Sequence, residues 1–253
     1  MKLILTLALG ALLTVSLVNA AGDSNGTDRQ PVLLELFTSE GCSSCPPADK
    51  LLQTFDKSQP IPGADLIVLS EHVDYWNHNG WSDPFSSPVF SARQRGYAEK
   101  LGLDSVYTPQ LIVDGSAELV GSNAVEARNA ITKAIQHNKI PIALSNMVRQ
   151  GDHVSVHLEL GGLPNGSKSA IVYLAVADNE DRSQVAHGEN GGRSLTHVAV
   201  VRTLMPVGTL GSSGFRKDVT VSIKAAGQNG LRVVAFVQDK DSRQVLGVAQ
   251  QKL

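Results

Sequence analysis

The chain has 253 residues, a length that allows one or two domains with full hydrophobic cores. Its content of 42% hydrophobic and 18% charged residues is that of an ordinary globular protein. The net charge of -2 and the absence of any Lys or Arg run exclude a basic surface, so no nucleic-acid partner is expected.

The first twenty residues have the pattern of a secretory signal. Met1-Lys2 supplies a short basic start, an apolar run continues to Val18, and Val18-Asn19-Ala20 resembles a signal-peptidase site. The apolar run is shorter than the roughly twenty residues of a membrane anchor, which is the alternative. We therefore predict a signal peptide at 1–20, a flexible leader at 21–30, a periplasmic or secreted location, and no stable membrane anchor after cleavage.

A Cys-x-x-Cys motif then lies between a predicted strand, Val32–Phe37, and a predicted helix from about Ser43 to Lys57. Cys42 and Cys45 are the two cysteines of the chain. The N-terminus of a helix favours a thiolate over a thiol, which makes sulfur there both a better nucleophile and a better leaving group. A structural disulfide is the alternative in an oxidising compartment. A bridge over so short a loop removes little chain entropy, so the motif favours chemistry.

The chain continues with alternating strands and helices. A buried strand at Asp65–Leu69 precedes the loop 74–88, which contains Tyr75 and Trp76. This loop has two interpretations: its aromatic residues pack on the domain, or it is a lid or partner-binding loop. The remaining predicted elements of this half are a helix at Ser87–Leu101, a strand after Pro109, its hairpin partner at Ala117–Gly121, and a helix at Asn123–His137 with Asn123 as N-cap.

From Val32 to Asn138 the sequence resembles the thioredoxin superfamily. The resemblance depends on the element order, on Cys-x-x-Cys after the first strand, and on Thr108-Pro109 before the third. It implies that Pro109 is a cis-proline, with Thr108 beside it, and that both shape the substrate-binding surface near the cysteines. Two features depart from the superfamily pattern: the dipeptide between the cysteines is Ser-Ser, and Gly41 stands where a tryptophan is often found.

Beyond Pro141 the pattern changes to alternating apolar and polar residues without a convincing helix. The fold class predicted from the sequence is therefore a thioredoxin-like α/β domain at 31–140 followed by an immunoglobulin-like β-sandwich at 141–253. The predicted strands of the second part are Ile142–Arg149, His153–Leu160, Ser169–Ala177, Leu195–Leu204, Phe215–Ile223, Leu231–Val237 and Val245–Gln250.

A glycine-rich segment at 187–197 has two interpretations. It is either a solvated loop between strands or a polar surface that docks near the cysteines. The chain resembles a secreted bacterial thioredoxin-like family known as domain of unknown function 1223. The resemblance depends on the signal peptide, the stretch from Phe37 to Asp49, Tyr75-Trp76, Gly188-Glu189-Asn190 and Val200-Val201-Arg202. The resemblance implies fold and export, but no substrate.

The predicted function is thiol–disulfide exchange. Cys42 forms a mixed disulfide with the substrate and Cys45 resolves it, so Cys42 should be the more exposed and more acidic thiol. The reaction needs no cofactor, and the partner is a protein or a small thiol. Glu40 lies in the loop before the motif and is assigned no role. The alternatives are a binding module with a structural disulfide, and copper or zinc held by the cysteines with His72 or His78.

Overall fold

A computed structural model describes residues 29–163, 169–223 and 229–253. The predicted signal peptide lies outside these residues, and of the predicted leader only Arg29 and Gln30 are described. In this part of the chain no helix is long and apolar enough to cross a membrane.

The described residues form eleven strands and three helices. Their order from the first strand to the third helix is the predicted β-α-β-α-β-β-α, and all seven strands predicted in the second half are present with longer or equal bounds at most ends. The elements are β1 Gln30–Thr38, α1 Pro46–Ser58, β2 Ala64–His72, α2 Pro88–Leu101, β3 Gln110–Val113, β4 Ala117–Val120, α3 Ala124–Ala134, β5 Ile142–Gln150, β6 His153–Leu160, β7 Ala170–Gln184, β8 Ser194–Leu210, β9 Phe215–Ser222, β10 Leu231–Asp239 and β11 Val245–Lys252.

The strands form one large mixed sheet and one small sheet. The large sheet has the order β11-β10-β7-β8-β2-β1-β3-β4, and the small sheet has the order β5-β6-β9. β2 pairs with β1 on one side, and on the other side β8 runs parallel to it at Ser70 and Val200. The prediction of a thioredoxin-like domain followed by an immunoglobulin-like sandwich is therefore wrong, because strands of both halves share one sheet and one domain.

Both faces of the large sheet are covered, which explains why its central strands are apolar on both sides. α1 and α3 pack on one face of β1 and β2, through residues such as Leu52 and Ile131. α2 packs on the opposite face through Phe90. The small sheet covers the outer strands β7 and β10, where Val154 and Val172 belong to one apolar cluster. The long hairpin of β7 and β8 thereby reaches from the small sheet to the N-terminus of α1.

The helix ends follow local sequence signals. The Ser87 side chain accepts a hydrogen bond from Val89 N at the start of α2, and Gly102 ends that helix in a left-handed conformation. Asn123 caps α3 as predicted, since its side chain accepts from Glu126 N at 3.2 Å. α1 differs, because its N-cap residue Cys45 makes no side-chain capping bond. The start of α1 is instead set by the cysteine motif.

Candidate active site at the cysteine motif

Cys42 and Cys45 form a disulfide in the loop that joins β1 to α1, with their Cα atoms 5.4 Å apart. Pro46 and Pro47 occupy the first turn of α1 and have no N–H groups. The next two N–H groups, those of Ala48 and Asp49, donate to the carbonyl oxygen of Cys45 at 2.9 and 3.1 Å. These two N–H groups are therefore not available to bind a thiolate. The helix dipole still stabilises one.

Both cysteines are fully buried. The expectation that Cys42 is the more exposed thiol is therefore wrong for this disulfide-bonded state. Its Sγ lies 3.3 Å from Ser44 Oγ and 3.8 Å from the carbonyl oxygen of Thr108. The second distance is a packing contact, because a disulfide sulfur has no proton to donate. Access of another thiol to Cys42 requires that covering residues move.

Thr108, Pro109 and Trp76 of the four predicted substrate-binding residues lie at the motif, and Trp76 packs so closely on Gly41 that an added Cβ there would be 3.2 Å from the Cβ of Trp76. Thr108 touches Cys42 through its carbonyl group, and its side-chain oxygen accepts a hydrogen bond from Trp76 Nε1 at 2.8 Å. The Thr108–Pro109 peptide is cis, as the resemblance implied, and Pro109 is buried. The hydroxyl of Tyr75 donates to Gln94 of α2 at 3.1 Å and also lies within reach of the Thr108 side chain. Substrate contact by these residues stays a prediction.

The glycine-rich segment between β7 and β8 lies against the backbone of the motif. The side-chain amide of Asn190 is buried and donates to the carbonyl oxygens of Glu40 and Cys42, at 2.8 and 2.9 Å. Glu189 accepts from Ser43 N at 2.9 Å, and hydrogen bonds from the Ser43 side chain and backbone lower the pKa of the Glu189 carboxyl. Of the two interpretations of the segment 187–197, docking near the cysteines is the one observed. We call residues 187–193 the cover segment.

The loop 74–88 supports the same region from the other side. Trp81 Nε1 donates to Glu40 Oε2, and Glu40 N donates to Asp83 Oδ2, each at 2.8 Å. The loop also packs on the cover segment at Gly188, where an added Cβ would lie 3.2 Å from both the carbonyl oxygen of Asn79 and the Cβ of Trp81. Since Gly188 also has φ of 76°, a larger residue there would be strained.

A buried group of ionisable side chains lies directly behind the motif. His197 Nε2 is 3.3 Å from Glu40 Oε1, and His197 Nδ1 is 3.6 Å from Asp49 Oδ2, which is too long for a hydrogen bond. Burial opposes the charged imidazolium, but Asp49 and Glu40 outweigh it and raise the pKa of His197 to about 10. The carboxylate of Asp49 also accepts from Thr38 at 2.9 Å. His197 is therefore a buried cation at neutral pH.

A second histidine extends this group. The ring of His72 packs edge-on against His197 with centroids 4.6 Å apart, and its Nδ1 is 2.7 Å from Asp83 Oδ2. Although burial raises the pKa of Asp83, His72 and backbone N–H groups hold it below its usual value. His72 is thus engaged with Asp83. Over the residues the structure describes, no group of three or more His, Cys, Asp or Glu side chains has the geometry to hold a metal ion.

Sequence reasoning gave docking of the segment 187–197 as one of two interpretations, but it assigned Asn190 and His197 no role at the motif. His197 and Asn190 are about 150 residues away from the cysteines along the chain, and only the pairing of β8 with β2 places them there. Glu40 stood beside the motif in the sequence, yet its loop position carried no signal of burial. The noted Gly188-Glu189-Asn190 stretch was the one feature that pointed to this contact.

The fold and the site define a mixed α/β protein, rich in strands, with a covered disulfide at the start of a helix. The chain belongs to the family of proteins of unknown function DUF1223, whose profile matches residues 33–238. This confirms the family expected from the motif stretch. Membership of the thioredoxin superfamily stays a prediction.

A solved structure is similar over most of the chain. Protein AGR_C_4864 from Agrobacterium tumefaciens is 28% identical, with 88% of this chain and 94% of that chain covered and a TM-score of 0.64. OgpA from Akkermansia muciniphila is 8% identical, with 47% of this chain and 30% of that chain covered and a TM-score of 0.26. No curated protein matches the chain.

Proposed function

We propose that this protein is an exported thiol–disulfide oxidoreductase. The observation that carries the proposal is the Cys42–Cys45 disulfide, which joins residues three apart at the N-terminus of α1. So short a bridge adds little to the stability of the fold through chain entropy. The helix dipole favours the thiolate that exchange requires. Export is proposed from the signal-like pattern of residues 1–20.

The exchange reaction proceeds in two steps with the oxidised protein. A substrate thiolate attacks Cys42 Sγ, the Cys42–Cys45 bond breaks, and Cys45 leaves as a thiolate. A second substrate thiolate then attacks the substrate sulfur of the mixed disulfide, which releases Cys42 as a thiolate and the substrate as a disulfide. Two electrons pass from the substrate to the protein, and the reverse sequence oxidises the protein.

In this proposal the cover segment moves before exchange takes place, whether the protein oxidises or reduces its substrate. Both sulfurs are buried, and Asn190 and Glu189 bind the backbone of Cys42 and Ser43. These contacts are hydrogen bonds rather than a hydrophobic interface, and the cover segment is exposed apart from Asn190, so opening is a local event. Loop motions of this kind gate many enzymes.

The test compares cysteine variants in an insulin-reduction assay and a dithiol-oxidation assay. Cys42→Ser should lose exchange in both assays, and Cys45→Ser should accumulate a mixed disulfide with substrate at Cys42. Ser58→Ala, an exposed substitution at the far end of α1 that retains both sulfurs, is the control. Undiminished exchange by the Cys42→Ser protein contradicts the proposal.

The burial of both sulfurs favours a second candidate, a binding module in which the disulfide is structural. The reduction potential separates the two candidates. Catalytic dithiols have potentials of about -120 to -270 mV, whereas structural disulfides have values below about -300 mV. Equilibration of the mature protein against glutathione and dithiothreitol mixtures, followed by thiol trapping, measures this quantity. A value below the catalytic range supports the binding module.

A further inference from the structure

A cleft of about 480 Å³ lies between α1 and the loop end of the β7–β8 hairpin, next to the cysteine motif. One wall is a face of α1 that starts at Pro46, the residue after Cys45. The opposite wall is formed by the end of β7, the last residue of the cover segment and the start of β8. The ionisable residues of its lining are Asp49, Lys50, Lys57, Glu180, Arg182 and Arg193.

The charge of this cleft is unbalanced. Lys57 and Arg182 share the carboxylate of Glu180, at 2.8 and 3.1 Å. Lys50 binds the side-chain oxygen of Gln53 at 2.9 Å, and Arg193 binds that of Asn190 at 2.7 Å. Neither Lys50 nor Arg193 has a carboxylate within 4.0 Å anywhere in the described ranges.

The acids of the cleft do not compensate for this excess. Glu180 already faces Lys57 and Arg182, and the carboxylate of Asp49 is engaged by Thr38 and His197. Among the described residues, Lys50 and Arg193 are therefore two cations whose side-chain partners are neutral amides. A carboxylate is the ligand that would replace both amides with charge-assisted hydrogen bonds.

The position of the cleft connects it to the disulfide. Lys50 follows Cys45 by five residues, which corresponds to about 8 Å along the helix axis. Arg193 holds the amide oxygen of Asn190, and the amide nitrogen of Asn190 holds the carbonyl oxygen of Cys42. A ligand that draws Arg193 away removes one of the contacts that keep Asn190 over Cys42.

We propose that this cleft binds the carboxylate group of a small anionic disulfide substrate, with Lys50 and Arg193 as its charged ligands. The inference rests on the proposed function and names its substrate class. The reduced protein, formed with a dithiol, attacks the bound disulfide through the Cys42 thiolate and releases one substrate thiolate. The Cys45 thiolate then attacks Cys42 Sγ, releases the second substrate thiolate and restores the Cys42–Cys45 bond. The substrate gains the two electrons that the protein loses.

The experiment measures the rate at which the reduced full-length mature protein is reoxidised by two disulfides. Glutathione disulfide carries carboxylates, whereas bis(2-hydroxyethyl) disulfide is neutral. The readout is the ratio of the two rates. Because Lys50 and Arg193 are exposed and solvent screens their pairing with a carboxylate, Lys50→Met and Arg193→Met should each lower this ratio by about two- to fivefold. Lys133→Met, on the exposed face of α3, is the matched control and should leave it unchanged.

A binding measurement keeps the cleft testable apart from the chemistry. S-methylglutathione has the same carboxylates but no exchangeable sulfur, so its binding to the oxidised protein is measured by calorimetry. Binding that weakens in Lys50→Met supports the cleft, even when neither disulfide reoxidises the protein and the proposed function fails. A rate ratio unchanged in both variants, or the absence of S-methylglutathione binding, overturns the inference.

Discussion

The contact of Asn190 with the cysteine loop leads to a direct prediction about access to the disulfide. Asn190→Ala removes the two hydrogen bonds that the buried amide donates to the carbonyl oxygens of Glu40 and Cys42. It also removes the acceptor of Arg193. The covalent structure of the motif is unchanged, so any effect on reduction arises from the cover segment.

The size of the effect follows from those two bonds. Each intramolecular hydrogen bond contributes about 0.5–1.5 kcal/mol net, so the covered state loses about 1–3 kcal/mol relative to the open state. At about 1.4 kcal/mol per factor of ten, the open population rises by about 5-fold to 150-fold. Because both sulfurs are buried when covered, the rate of reduction should rise by the same factor.

The assay follows reduction of the Cys42–Cys45 disulfide by dithiothreitol. Samples are quenched in acid, free thiols are labelled with a maleimide, and the mass shift gives the reduced fraction. Asn129→Ala, an exposed substitution of the same type on α3, is the control and should be reduced at the wild-type rate. The rate should depend weakly on urea, since local opening exposes little surface whereas global unfolding exposes much.

One result would refute this reasoning. If the Asn190→Ala protein is reduced no faster than wild type, the cover segment does not control access to Cys42. A rate increase that appears only in urea, together with a fall in the unfolding free energy, would point to global destabilisation and would equally contradict a local cover.

Three further predictions concern the stability of the fold. The folded pKa of His197 is about 10 against about 6.5 unfolded, so its protonation stabilises the fold fully below about pH 6.5, and that stabilisation is lost as the pH rises through about 10. In urea titrations the unfolding free energy of the wild type should fall between about pH 6.5 and 10, and in His197→Gln this fall should be smaller by up to about 5 kcal/mol. An equal fall in the two proteins would contradict a role for the His197 charge. Arg93→Met should lower the unfolding free energy by about 3–5 kcal/mol, because it leaves the buried carboxylate of Glu35 without its cation. The control Arg95→Met, at an exposed position of the same helix, should change the unfolding free energy little. Similar values for the two variants would show that the buried ion pair is unimportant. Gly115→Ala should lower the melting temperature far more than Gly102→Ala. Both glycines have φ near 68°, but a Cβ added at Gly115 would lie 2.0 Å from a backbone oxygen, whereas a Cβ added at Gly102 would have no atom within 4 Å. Equal shifts in melting temperature would mean that backbone strain, and not this clash, determines the loss of stability.

Local pattern predicted the elements of this protein well. His153–Leu160 was predicted with its observed bounds, and Gly102 and Asn123 mark helix boundaries as expected. Alternation, capping residues and turn residues act over a few neighbours, so they can be read from one sequence. The disulfide at the start of α1 followed from the same local reasoning.

Long-range pairing could not be read in this way. β8 contains Val200, whose apolar surroundings suit an inner strand of a sandwich as well as a neighbour of β2. Backbone hydrogen bonds are the same in either arrangement, so the pattern does not specify which strand edge β8 joins. The error in the fold class came from this ambiguity.

By itself, the sequence determined the strand–cysteine–helix order, because each part of it depends on residues within one or two turns. The tertiary structure alone decided that the motif is covered. The pairing of β8 with β2 brings His197 to the carboxylates of Glu40 and Asp49, and it brings Asn190 to the backbone of Cys42. That placement depends on packing of the whole sheet, which selects one of several strand edges that β8 could join. As a result Cys42, expected to be exposed, is buried.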